Sequence, residues 1–525
     1  MHPHAPSRRT LFRLALTGLT GAGAPLLLTG CGGRSENSSA NVSTQGSAGR
    51  LLPSEAPLPE PFGRALPVPR VLKPVRTEPG TDYYEITQKT GTARILDDLE
   101  TPVWGYDGTF PGPTIVSQRG RRTVVTHTNE LPVPVVVHLH GGRVAADQDG
   151  YPTDYLHPVT GRVADHHGGG LNGAQGTRDY VYDIDQPAAT LWYHDHRMDF
   201  TGPAVYRGLA GFHLIEDASE DSLGLPSGER DIPLMIADRS FAADGSFLYP
   251  STDPSLTKVP GVSADYMSGV LGDCVLVNGA AWPELEVKAV RYRFRILNAA
   301  NARRFRLRLD DGPEFVQIGS DQGLLAAPVT RTRIDVAQGE RFDVVVDFSG
   351  YAAGSEITMV NERGDGPTAQ VMRFVVTGPA GDDSRVPEKL GAVEELSGSD
   401  VVATRSFTFR RGGAKAHGMS LWTVNGEAFD PETVLATVKL GTVERWTVVA
   451  QNNEHPFHVH LGAFQVLGNT SAGHVDEGWK DTVNLDNGGR AELLVRFDRN
   501  RGAAVLHCHN LEHEDMMMMA NFEIV

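Results

Sequence analysis

The chain has 525 residues, 40% of them hydrophobic and 22% charged, with only three cysteines. That length supports about three domains, each with enough apolar residue to bury a core, which excludes a disulfide-stapled mini-protein and a disordered chain. Its 65 acids outweigh 48 bases for a net charge of -17, and no long basic run reverses this locally, so nucleic acid is excluded as a partner.

At the N-terminus, Ser7-Arg8-Arg9-Thr10-Leu11-Phe12 and the Gly-rich, mildly apolar stretch behind it read as a twin-arginine export signal. Leu28-Thr29-Gly30-Cys31 resembles a lipobox, which would make a lipidated Cys31 the first mature residue and place the protein in the periplasm or at the cell surface. Residues 32–70, rich in Gly, Ser, Ala and Pro, read as a flexible tether.

The body is built of short alternating runs such as Arg121–Thr126 and Tyr292–Leu297, punctuated by Gly, Pro, Asn and Asp. This is an all-β pattern. Arg119, Arg121 and Arg122 read as a solvated strand edge. A basic, β-branched strand ends in Asn at Asn129, Asn298 and Asn452, and Val-Asn-Gly recurs at 277–279 and 424–426. Three related β domains follow, over 71–217, 222–378 and 400–525, with a Gly/Asp/Ser/Glu-rich linker before the third.

Histidines distinguish these domains. None lies between His213 and His417, so the middle domain has the strand pattern without the metal chemistry and reads as a spacer that sets the docking of the other two. Ten of the 19 fall in four clusters: His138/His140, His194/His196, His455/His458/His460 and His507/His509/His513. Residues i and i+2 of a strand share a face, so each His-x-His pair presents two imidazoles side by side. Cys508 points away from His507 and His509 and can bind a different metal behind the strand. With His513, and Met518 as a weak axial thioether, it has the makings of a blue-copper electron-transfer site. The loop 151–180 carries His157, His166 and His167 and reads as an extra metal site or a solvated flap, while Cys274 reads as a buried thiol.

The strings WYHDH, HPFHVH and HCHNLEHEDM, with LVNG, WPELEV and YRFRILNAANARRFRL in the middle domain, resemble the multicopper oxidases, nearest to their bacterial spore-coat laccase and bilirubin oxidase branch. The resemblance implies three cupredoxin-like Greek-key β-sandwiches and four copper ions. Carried over by motif, His455, Cys508, His513 and Met518 would hold the type 1 copper and His138 and His458 the type 2. His140, His194, His196, His460, His507 and His509 would hold the type 3 pair. The trinuclear site would form between the first and third domains. Asp149 and Glu514 match family positions for proton relay.

Met518 rather than an apolar axial residue implies a low-to-middle potential. The run Met516–Met519 reads as strand alternation packed in the core. The expected activity is one-electron oxidation of phenols, aromatic amines or tetrapyrrole-like donors with O2 as acceptor, by a monomer. A metallo-oxidase acting on Cu(I), Mn(II) or Fe(II) would show an acidic or Met-lined approach to type 1 copper, whereas a broad apolar cleft favours organic donors. A copper electron-transfer protein would lack a complete set of eight further histidines.

Overall fold

The computed structural model describes residues 49–161, 172–310, 312–416, 419–471, 473 and 476–525; the export signal, Cys31, His166 and His167 lie outside them. Three two-sheet β bodies follow one another along the chain. The first pairs a five-stranded sheet with a four-stranded one, the middle a seven- with a five-stranded one, and the third two five-stranded sheets. The alternation expected of half-buried strands is visible in Thr177–Asp183, where Arg178, Tyr180 and Tyr182 face inward.

The asparagines of the repeat have a physical role in two of the three bodies. Asn129 donates to the carbonyls of Val133 and Leu156 and accepts from Leu131 N–H. Asn298 does the same with Arg303, Val336 and Ala300. Asn452 departs from this pattern, since it is exposed and its amide oxygen accepts from Arg411 N–H. Asn278 and Asn425 both sit at positive φ, 50° and 54°, in matching turns that accept from Met235 N–H and Thr408 N–H.

The expected tether is corrected over 49–70. There the chain is bound onto the middle domain: β1 (Arg50–Leu51) pairs in parallel with Val270–Leu271, Ser54 bonds Asp273, and Ala56 and Leu66 join the middle domain's apolar core. Small and proline-rich composition here serves close packing rather than flexibility.

Four strands and two short helices position the site. In the first body, β2 (Val137–His140) lies antiparallel to β3 (Ala189–Asp195), with His138 opposite His194. Helix α1 (Thr201–Tyr206) follows, and β4 (Val270–Leu271) belongs to the middle domain. In the third body β5 (His455–Val459) lies antiparallel to β6 (Gly502–Cys508), with His458 opposite His507 and Phe457 opposite Cys508. Helix α2 (Leu511–Asp515) follows β6 and is capped by Asn510. Every residue of β2, β3 and β5 is buried, because one face packs in its own domain and the other meets the neighbouring domain. Leu139, Phe457 and Cys508 share one apolar cluster that runs through the first and third bodies.

The Met tract is buried in three of its four members, but not as an alternating strand. Met517 takes φ 84° in the turn after α2, and the strand begins only at Met519.

Replacing Asn298 by Ala strips three backbone groups of their partner inside the core. The expected destabilisation is about 3 kcal/mol, read as a lowered midpoint of the middle-domain transition in denaturant.

Candidate metal centre

Burial and hydrogen bonding fix the tautomers of the clustered histidines. Nδ1 of His138, His194 and His458 lies 2.7, 2.8 and 2.9 Å from the carbonyls of Asp149, Asp195 and Asp481. Nδ1 of His460 is 2.7 Å from Asp149 Oδ2, and Nδ1 of His507 is 3.1 Å from Cys508 O. Each of these Nδ1 atoms must donate, which leaves Nε2 as a lone pair. His140 is reversed: its Nε2 donates to Asp481 Oδ1 at 3.0 Å, leaving Nδ1 open. Burial holds His196 and His507 down to about 3 and His458 to about 4, so they stay neutral.

The open ring nitrogens converge. Nε2 of His507 lies 3.3 Å from Nε2 of His196 and 3.2 Å from that of His460. Two acceptor edges at that distance repel unless a cation lies between them. Nε2 of His138, His194 and His458, Nδ1 of His140 and both ring nitrogens of His509 have no hydrogen-bond partner although fully buried, a cost tolerated when a metal satisfies them. Ligand atoms of His138, His140 and His194, of His138, His458 and His460, and of His196, His460 and His507 cluster within 4.8 Å. The rings of His140, His194 and His509 stand 5.0–5.9 Å apart. Eight imidazoles, four from each outer body, thus line one buried centre.

A second set lies behind β6. Cys508 Sγ is 3.4 Å from His455 Nδ1 and 3.5 Å from His513 Nδ1, and the two nitrogens are 3.1 Å apart. His455 turns its other nitrogen to Gln451 O at 3.1 Å, and His513 bonds Ser268 O, so both present Nδ1 lone pairs to the sulfur. Met518 is fully buried, its carbonyl accepting from Cys508 N–H at 3.1 Å. Two imidazoles and a cysteine sulfur in one buried cluster, with no second cysteine beside them among the described residues, suit copper better than a structural zinc.

The acids sit between the domains. Asp149 holds His138 through its carbonyl and His460 through its carboxylate, which joins a first-body imidazole to a third-body one. Glu514 places Oε2 3.1 Å from His507 Nδ1 and Oε1 3.5 Å from His196 Nδ1, and burial raises its pKa. On the same short helix Asp515 accepts from Thr201 and Gly202 N–H at the start of α1, both at 2.8 Å, and Glu512 accepts from Val270 N–H in the middle domain.

A group of residues invisible in the sequence reading completes the centre. Asp481 is fully buried and accepts from His140, from Arg341 at 2.5 and 2.7 Å, and from Gln322 at 2.6 Å. Burial pushes its carboxyl up, but Arg341 and His140 outweigh this and hold it well below the usual range. Lys480 is clamped between Asp321 and Glu340. A Cβ on Gly339, which has φ +83°, would stand 2.9 Å from His509 and 3.0 Å from His140. Gly339, Glu340 and Arg341 all belong to the middle domain, which contributes no residue to the ligand clusters among the described residues but walls the site and, through Arg341, ties the outer domains together. The only sequence signals were charged pairs, Glu340-Arg341 and Lys480-Asp481, opening apolar strands. His157 is buried against a small parallel pair and belongs to no metal-ligand cluster among the described residues. Cys274 is a buried free thiol.

A multicopper oxidase family model matches residues 401–525, and a second, also a multicopper oxidase model, matches 87–163 and 170–220. The chain is 35% identical over 522 residues to the laccase of Bacillus subtilis, covering 89% of this chain and 98% of that one. The chain belongs to the multicopper oxidases. Bilirubin oxidase of Albifimbria verrucaria is 36% identical over 503 residues, covering 88% and 81% of the two chains. The crystal structure of a laccase from Pediococcus acidilactici superposes with a TM-score of 0.77 at 32% identity, over 91% of this chain and 96% of that one. The three bodies are therefore the cupredoxin-like domains of this family, and as in other multicopper oxidases the cofactor is copper.

Removing the Asp481 carboxylate by Asp481→Ala is expected to weaken copper binding at the eight-histidine centre by 10–100-fold. Chelator competition followed by metal analysis reads this, while the visible band of the Cys508 site persists.

Proposed function

We propose that this multicopper oxidase holds four coppers, one at His455–Cys508–His513 with Met518 and three among the eight imidazoles. It oxidises small phenols and aromatic amines one electron at a time and reduces O2 to water. The observation that carries this reading is the convergence of unpaired imidazole lone pairs from two domains onto one buried centre, joined to the cysteine set by three consecutive residues. When bound, copper supplies the one-electron redox chemistry and the site for O2.

The chain's own residues supply the rest. His507-Cys508-His509 link donor side and oxygen side without a gap in covalent structure, so an electron that reaches the Cys508 sulfur has a bonded route to both imidazoles. Reduction of O2 to two waters consumes four protons. Glu514, its acid form favoured by burial and its carboxyl beside His507 and His196, is placed to release protons at the centre. Asp149 Oδ2 keeps the proton on His460 Nδ1 and so keeps Nε2 free for metal.

Among the described residues no second cluster of acidic, histidine or cysteine ligands accompanies the His455–Cys508–His513 set, which favours organic donors over metal ions. Met267 and Met516 are buried, and Arg411 lies 3.6 Å from Met267 Sδ. Export by the twin-arginine route, lipidation at Cys31 and a monomeric state complete the proposal.

Copper-loaded protein is expected to bind about four ions per chain and show an intense visible band that Cys508→Ser abolishes. One copper or none, or a band surviving that substitution, would sink the reading. Glu514→Gln should lower kcat by roughly a hundredfold with donor KM unchanged, as measured by oxygen uptake.

A further inference from the structure

The outer edge of His513 is where a donor must deliver its electron if the reading above holds, and the protein covers it. His513 has no exposed surface. Its ring bonds the Ser268 backbone, and its Nε2 lies 3.2 Å from Asn453 Nδ2. Its ring face lies on Trp422, centroids 3.9 Å apart at 33°, and Trp422 Nε1 donates to Met267 O at 2.7 Å. Ser268 O also accepts from Asn453 and Asn510, both at 3.2 Å. Two adjacent residues of the middle domain thus close over an imidazole and an indole of the third.

This covering segment is short, and its outer residues Ser263, Ala264 and Asp265 are exposed. It is held from outside by the N-terminal strap. Arg50 N–H donates to Gly269 O at 2.9 Å and Leu52 N–H to Leu271 O at 2.8 Å. The Arg50 guanidinium pairs with Asp265 at 2.6 Å and lies over the Tyr266 ring. Contact is close enough that a Cβ on Gly49 would stand 2.9 Å from Gly269 O and from Leu271 Cγ.

We propose that residues 263–271, clamped by the strap 49–56, form a cap that sets donor selectivity by keeping aromatic donors off the Trp422–His513 stack. This rests on the oxidase reading and names the part of the chain that chooses among its donors. With the cap closed, His513 is screened by Ser268, and a donor passes its electron across that peptide. Opening the cap exposes the indole face and the Met267 thioether, against which an aromatic donor can stack. Burying some 50–60 Å2 of that surface corresponds to about tenfold in affinity. A small hydrophilic complex ion has no apolar face to bury and gains none of this.

The test uses the full-length, copper-loaded protein. In Arg50→Pro/Leu52→Pro the two backbone donors of the strap are lost, and no residue of either metal set is touched. Leu52→Ala keeps both backbone bonds and the Arg50–Asp265 pair and serves as the alanine control. Amide exchange across 263–271 should accelerate by about tenfold in the proline variant. The KM for 2,6-dimethoxyphenol should fall by about tenfold, with ferrocyanide unchanged and the alanine control like the parent. Unchanged exchange overturns the clamp, and faster exchange with an unchanged ratio between the two donors overturns the cap. A parent protein that binds four coppers yet oxidises neither donor would instead refute the oxidase reading, and the cap with it.

Discussion

The contact on which the oxygen side of this molecule depends is the ion pair between Arg341 and Asp481, both without exposed surface. A buried pair repays its desolvation only if every remaining lone pair and proton is matched. Here the matching comes from three domains. Arg341 also reaches Thr190 O of the first domain and Gly339 and Asp321 carbonyls of its own, while Asp481 takes Gln322 and His140. Gly141, at φ +87°, leaves the space the pair fills, since a Cβ there would lie 2.5 Å from the guanidinium. The charge that steadies His140 is therefore the one that docks the domains.

The same economy appears in α2. Four successive side chains face four different tasks: Glu512 holds the middle domain, His513 joins the cysteine set, Glu514 lies against the eight-histidine centre, and Asp515 caps α1 of the first domain. A helix of one and a half turns spreads consecutive residues at about 100°, so one short element can touch every part of the molecule that chemistry requires.

Much of this was legible in the sequence because metal ligation has a local spacing. His-x-His in a strand and His-Cys-His at a strand end state their geometry in three residues, and the structure gathers all ten clustered histidines into two adjacent sets. What was illegible is what acts across the chain. Asp481 lies 341 positions from the His140 it orients, and no local pattern marks it. Residues 49–70 misled for the opposite reason: small and proline-rich composition is shared by tethers and by straps pressed flat on a surface. The Met tract misled because a positive φ at Met517 ends the alternation, which composition alone does not announce.

That each outer domain contributes four of the eight imidazoles has a thermodynamic consequence. A ligand that binds only the assembled state adds its binding free energy to assembly. Metal binding and the docking of the first and third domains are then linked, each favouring the other, on top of the metal-independent contacts that Arg341, Asp481 and Asp515 make between domains. Without metal the inward lone pairs work against docking, and with it the same nitrogens become the seam that holds the first and third domains together. Copper loading accordingly adds to the stability of the assembled domains as well as to activity.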